Sequence, residues 1–397
     1  MNLTNTPSTQ PRTRARSTAT RTTRRGLLLG LAVSALAGVA ALGPGCSKSD
    51  TASPGTTAGG TTVGFIYVGT KDDYGYNEAH ATGADAVKKQ VPGVNVIEDE
   101  SVQENKDCET AMETMINLRG AKLIFPTSFG YFPHMKEVAK KYPNVMFFHA
   151  GGQVEPTDPP NVGSYFAYID ELEYLCGIVA GSTTKSGKLG YIAAKPIPPV
   201  LRDINAFELG AKSVNPKATL TVIFTGGWFD PVKEADAVTN LNNQGIDVVS
   251  GHVDSPKAFI TTADKLGMYS CGYHFNGSAL APQHYLTGAE WNWGPMYVNF
   301  VNDFLKDPKS KPVNKMGSIR DGGVQLSAYG PAVSEDAKKA VEPVMTAMKA
   351  GSFKMFKGPL KDNTGKEIIP DGKSFDDQDP SLWGMDYLVE GVIGSLK

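Results

Sequence analysis

Cysteine is scarce in this chain: four in 397 residues, at positions 46, 108, 176 and 271. If Cys46 belongs to the N-terminal segment described below, three remain. That odd number allows at most one disulfide and leaves a free thiol unless two chains pair. The six histidines include no HExxH and no close pair, and no cysteine has metal-ligand spacing, so a metal site is not expected. GxSxG, GxxxxGK and GxGxxG are all missing, which removes the nucleophile elbow and the usual phosphate cradles. Net charge is only −2, with 20% charged residues and no basic cluster after the first 25 positions. A nucleic-acid surface is therefore not expected. The one long apolar run, Gly26–Leu42, is too short for a comfortable membrane span.

That run has a particular setting. Arginines stand at 12, 14, 16, 21, 24 and 25 with no acidic residue among them, and the apolar stretch follows directly. This is the order of an export signal. Thr23-Arg24-Arg25-Gly26-Leu27-Leu28 resembles a twin-arginine address. Cys46 closes the run in LGPGC and resembles the lipidated cysteine of bacterial lipoproteins, although Gly43 stands where leucine is usual. The alternative is an ordinary cleavage site beside an incidental cysteine. SKSDTASPGTTAGGTT then has no large apolar side chain and reads as a flexible tether. The expected organisation is an export signal over 1–45 and a tether over 46–61.

The remaining residues, roughly 335, exceed what one compact core usually holds, so two lobes are expected. They are organised around TVGFIYVGTKDDYGYNEAHATG, residues 62–83. VGFIYVG reads as a strand buried on both faces, and Glu78–Gln90 as the helix after it. The β-α rhythm continues: strand Val94–Glu98, helix Asn105–Leu118, a strand in AKLIFP, helix His134–Tyr142, strand NVMFFHA and strand Gly163–Tyr168. After the apolar helix Glu171–Thr183 a second series begins at KLGYIAA. It has helix Asp203–Val214, strand Ala218–Thr225, helix Pro231–Asn242, strand Asp247–His252, helix Ser255–Leu266 and strand Met268–Gly272. Parallel sheets covered by helices on both faces follow from this order. Five strands run into loops rich in polar, aromatic or glycine residues: GTKDDYGYN, PTSFGYF, HAGGQ, TGGWFDP and GHVDSP. Ligands of open α/β sheets bind at that edge, so a cleft between two lobes is expected. Singly, the tyrosines could be loop anchors, and Asp230 and Asp254 could be helix caps.

The ordered series DxxYN, AKLIFPTSFGY, NVGSYFAYIDELEYLCGIVAG, GGWFDPVKEADA, GHVDSP and TGAEWNWGPMYVNF resembles the basic membrane protein family of substrate-binding lipoproteins. Those proteins serve ABC importers and include purine nucleoside receptors. The resemblance covers about 62–397. It implies a type I periplasmic binding protein fold: two doubly wound parallel-sheet lobes joined by three crossings, lobe 1 from 62–168 and 292–322, lobe 2 from 169–291 and 323–397. It further implies a neutral purine nucleoside or base held between aromatic rings. Matched by position, the site would comprise Asp73, Tyr76, Asn77, Thr127, Ser128, Phe129, Trp228, Phe229, Asp230 and Asp254, with Trp291 or Trp293 completing the walls. Where many nucleoside receptors carry acidic residues near the sugar, this chain has Gly272-Tyr273-His274-Phe275-Asn276. That leaves a free base or another heterocycle, such as riboflavin, open.

The partners implied are a permease with its ATPase and, through Cys46, the membrane; the chain is expected to act as a monomer without a cofactor. Two rival classes use the same fold. A nucleoside-cleaving enzyme would need a nucleophile with a base in reach, and only the Asp72-Asp73 pair offers a candidate. A surface ligand sensor would use the same cleft with a receptor partner.

Overall fold

The computed structural model describes residues 60–377 and 379–396. The export signal, Cys46 and the tether up to Gly59 lie outside them. In the first series β1 (Thr61–Ile66), α1 (Tyr76–Gln90), β2 (Val94–Asp99), α2 (Lys106–Asn117), β3 (Ala121–Pro126), α3 (Phe132–Lys141), β4 (Met146–Ala150) and β5 (Val162–Ala167) follow one another. The second runs through α4 (Asp170–Thr183), β6 (Lys188–Ala193), α5 (Pro198–Val214), β7 (Thr219–Phe224), α6 (Pro231–Asn243), β8 (Val248–His252), α7 (Lys257–Lys265), β9 (Tyr269–His274) and β10 (Tyr285–Trp291). Then come α8 (Trp293–Lys306), β11 (Asn314–Gly317), β12 (Val324–Leu326), α9 (Glu335–Lys349), a small hairpin of β13 (Leu360–Lys361) and β14 (Glu367–Ile369), α10 (Pro380–Trp383) and β15 (Val392–Ile393).

Two sheets result, ordered β11-β5-β4-β3-β1-β2 and β12-β10-β9-β8-β6-β7-β15. All pairings in the first are parallel, and in the second only β12 runs antiparallel, against β10. The chain changes sheet after β5, after β10 and after β11, giving three crossings between two doubly wound lobes. No described helix is long and apolar enough to cross a membrane.

Each central strand is buried because both faces are covered. On the first sheet α2 and α3 bring Met112, Met115, Met135 and Val138 to one face, against Ile66 and Ile124. α1 and α8 bring Ala84, Tyr297 and Phe300 to the other, against Phe65 and Phe125. In the second lobe α4 lies against α5 so closely that a Cβ on Gly177 would stand 2.0 Å from the Phe207 carbonyl oxygen. Twelve of the fourteen α4 residues are buried, three acidic ones included. Asp170 meets Arg202 at 2.6 and 3.1 Å, and Glu171 accepts from the Ile319 amide at 2.8 Å. Cys108, Cys176 and Cys271 are free and buried.

Burial of carboxyl groups has a measurable consequence. Desolvation pushes Glu171 and Glu208 up to about 8 and Glu234 to about 7. Folded values above the ordinary 4.5 favour the folded state at low pH, and that contribution is lost as pH rises through 7 and 8. His80 and His149 act in the opposite sense: burial holds both down to about 3, so their contribution is present above 6.5 and lost only on acidification. Above 6.5 the carboxyls therefore act unopposed by these histidines. The melting temperature of the unliganded protein should fall between about pH 6.5 and 8.5, and Glu208→Gln should shrink that fall. Equal pH slopes for the variant and the parent would contradict the assignment.

Candidate functional site

The loop after β1 is held by its own side chains. Asp73 Oδ1 accepts from the amides of Gly75 and Glu78 at 2.8 and 3.0 Å. Its Oδ2 accepts from the Asn77 amide at 3.1 Å and from Asn77 Nδ2 at 2.7 Å. Asn77 Oδ1 in turn accepts from the Gly69 amide at 3.1 Å. Both residues thus tie the loop to α1, and they border a side cavity of about 540 Å³ rather than the central one. Tyr76 does reach the centre. Its hydroxyl donates to the Thr127 carbonyl at 2.5 Å, and its ring meets His80 and His274 edge-on at 4.5 and 5.2 Å.

The loop after β3 forms the next wall. Thr127 is buried and donates to the Ile66 carbonyl at 2.9 Å. Ser128 donates to Glu104 at 2.5 Å, and its carbonyl accepts from His149 Nε2 at 2.8 Å. Phe129 stands at the rim, 57% exposed.

From the second lobe come Trp228, partly buried, and Asp254. Lys195 Nζ lies 5.3 Å from the Trp228 ring. Phe229, 61% exposed, borders the side cavity. Asp230 is the N-cap of α6, accepting from the Lys233 amide at 3.1 Å and pairing with Lys233 Nζ at 3.1 Å. It does not border the central cavity. The Asp254 backbone is fixed at both ends: its amide donates to the Trp228 carbonyl at 2.7 Å and its carbonyl accepts from the Tyr76 amide at 2.8 Å. Burial, then the charges of Asp73, Glu104 and Glu234, pushes the Asp254 carboxyl well up, with Lys195 opposing. Trp291 lines the cavity and stacks on Trp293 at 4.7 Å. Trp293 turns into the core instead, parallel to His80 at 5.2 Å.

The central cavity lies between the lobes and has a volume of about 60 Å³. That is room for about four waters. Its walls include Phe166, Ile197, Pro199 and His252, which are outside the expected set of wall residues, and Tyr273 and His274 from the segment that the resemblance puts near the sugar. His252 and His274 end β8 and β9, and a histidine at the carboxyl end of a parallel strand was the available signal. His252 Nδ1 lies 2.7 Å from Asp203 Oδ2, which also accepts from the Tyr273 hydroxyl at 2.7 Å. Trp291 donates its indole N–H to His274 Nδ1 at 2.7 Å, which puts the neutral ring's proton on Nε2. Burial, with His252 and His80 adding to it, keeps His274 uncharged by driving its pKa well down. Among the described residues no group of three or more His, Cys, Asp or Glu side chains could hold a metal.

Residues 60–350 match the family described as ABC transporter substrate-binding protein, PnrA-like. A purine-binding protein of Brucella abortus (strain 2308) is 36% identical over 341 residues, which is 84% of this chain and 93% of that one. A Haloferax volcanii protein, named for glucose binding in an ABC transporter, is 32% identical over 88% of this chain and 89% of its own. The solved solute-binding protein of an Aeropyrum pernix K1 ABC transporter superposes with a TM-score of 0.63 at 17% identity, covering 81% of this chain and 97% of that one. At that identity it speaks for the periplasmic-binding-protein fold alone. The chain belongs to the PnrA-like family of ABC transporter substrate-binding proteins.

Proposed function

We propose that this protein captures a neutral purine base or nucleoside between its lobes and delivers it to the permease and ATPase of an ABC importer. The observation that carries the reading is the aromatic lining of the cleft from both sides. Tyr76, Phe129 and Phe166 come from the first sheet's edge, and Trp228, Tyr273 and Trp291 from the second's. A flat heterocycle between such rings gains burial plus about 0.5–1.5 kcal/mol per ring pair. A sugar presents hydroxyls around its whole edge and needs many directed partners, whereas most polar side chains here are already bonded to the protein. The relative named for purine binding agrees with this lining better than the one named for glucose. Of the positions expected from the sequence, Tyr76, Ser128, Phe129, Trp228, Asp254 and Trp291 are taken as the ligand wall. Asp73, Asn77, Thr127, Asp230 and Trp293 are taken as its supports. Residues 62–168 with 292–322, and 169–291 with 323–397, are taken as the two lobes. No reaction is assigned to the site.

Work outside the cytoplasm follows from this role, and we place the anchor at Cys46. One acyl chain holds a protein only marginally, so a stable anchor requires a multiply acylated cysteine. Mass spectrometry of the mature N-terminus should find a lipid-modified Cys46 as its first residue. An unmodified chain beginning elsewhere would remove the anchor from the proposal.

Ligand identity is tested by calorimetry of the ligand-stripped protein against purine bases, their nucleosides, riboflavin and sugars. A purine or its nucleoside should bind tightest. Trp228→Ala should weaken that binding at least tenfold, about 1.4 kcal/mol. Asp230→Ala should lower the melting temperature and leave affinity unchanged, since it removes a helix cap. Tight binding of a sugar with no response to any heterocycle would overturn the reading.

A further inference from the structure

The hydrogen-bond inventory of the central cavity goes further, granting that a flat heterocycle occupies it. Four side-chain donors that line it are committed inside the protein. Tyr76 gives its proton to the Thr127 carbonyl, Ser128 to Glu104, Tyr273 to Asp203, and Trp291 to His274. The His274 Nε2 proton is buried and has no hydrogen-bond partner among the described residues. Among the described residues the Trp228 indole N–H and the His274 Nε2–H are the lining donors without a protein acceptor, so either can meet a ring nitrogen.

His252 is in the opposite condition. A carboxylate can only accept, so the 2.7 Å contact with Asp203 Oδ2 places the ring proton on Nδ1. In the neutral ring Nε2 then carries a lone pair. The nearest side-chain hydroxyl is Tyr273's, 3.5 Å away, with its proton already given to the same Asp203 oxygen at 2.7 Å. The imidazole lines the central cavity and the smaller one beside Arg202 and Asp203, so this acceptor sits at their junction. We infer that His252, held by Asp203 and Tyr273, is a specificity-determining residue that accepts a hydrogen bond from an amino group on the ligand, so that the cleft selects aminopurines over their oxo counterparts.

The Asp254 carboxyl also lines the cavity and has no hydrogen bond or ion pair to the described residues; burial together with three neighbouring carboxylates raises its pKa, Lys195 opposing. A carbonyl oxygen facing the His252 lone pair would meet no donor there, whereas an amino group supplies the missing proton.

The test is a cycle between ligand and protein, read by calorimetry on the ligand-stripped chain. Adenine, hypoxanthine and unsubstituted purine are titrated into the parent, His252→Phe and His252→Gln. The parent should bind adenine at least tenfold tighter than hypoxanthine or unsubstituted purine. His252→Phe keeps a ring but removes the acceptor, so adenine should fall to the level of unsubstituted purine while purine itself changes little. In His252→Gln the amide nitrogen can donate to Asp203 and the oxygen can accept from the ligand, so the preference for adenine should return. Hypoxanthine binding as tightly as adenine in the parent, or an adenine preference that survives in His252→Phe, would overturn the inference while leaving the heterocycle reading in place. Failure of all three bases, with sugars binding, would overturn both.

Discussion

The closed form of this protein depends on a backbone contact across the cleft. The Tyr76 amide donates to the Asp254 carbonyl at 2.8 Å, and Ser255 Oγ donates to the Asp73 carbonyl at 2.5 Å. Gly75 is what allows the approach: a Cβ there would stand 2.0 Å from the Asp254 oxygen. The bond fixes one ring, Tyr76, and one carboxyl, Asp254, relative to each other, and these come from opposite lobes. Because backbone atoms make it, the contact demands no particular ligand. A ligand favours this state only by its differential affinity for closed over open.

Closure of this kind needs a pivot, and α4 supplies its fixed side. Asp170 at its start grips Arg202 of α5, whose Nη1 also approaches the Asp377 carbonyl at 3.5 Å. Glu171 holds the amide of Ile319 in the third crossing. The first and third crossings and the C-terminal segment are therefore tied to the first turn of one helix. α4 cannot shift against α5 either, because Gly177 and Gly210 bring the two backbones together.

Much of this was legible in the sequence. Parallel strands buried on both faces have to read as continuous apolar runs, and their loops have to collect at one edge, so the lobes and cleft followed from VGFIYVG, KLGYIAA and their successors. Helix starts were less legible. α5 begins at Pro198, not near Asp203, because proline fits the first turn where no amide partner is needed. A cap and a ligand-binding carboxylate also look alike in a sequence. Asp73 and Asp230 each precede a helix in a polar loop, and only coordinates show that backbone amides hold both. Trp291 and Trp293 are two positions apart, yet one ends a strand at the cavity and the other enters a helix facing the core.

The residues that escaped detection share a physical cause. His252 closes the expected strand Asp247–His252, and Tyr273 and His274 lie just past the expected strand Met268–Gly272, which runs on to His274; a strand pattern says which face a residue occupies, not that its side chain enters a cavity. His274 also adopts φ +70°, which turns the chain out of the sheet. Behind the visible wall stands a second layer of rings: His80 bonded to Tyr297 at 2.5 Å, Tyr165 bonded to Tyr297 at 2.6 Å, and Trp293 stacked on His80. Burial keeps His80 and His149 neutral. A wall supported in this way holds Tyr76 without placing a charge against the ligand. Relatives of this chain are named for quite different solutes, purine and glucose, so selectivity has to come from the side chains at the strand ends and not from the fold itself.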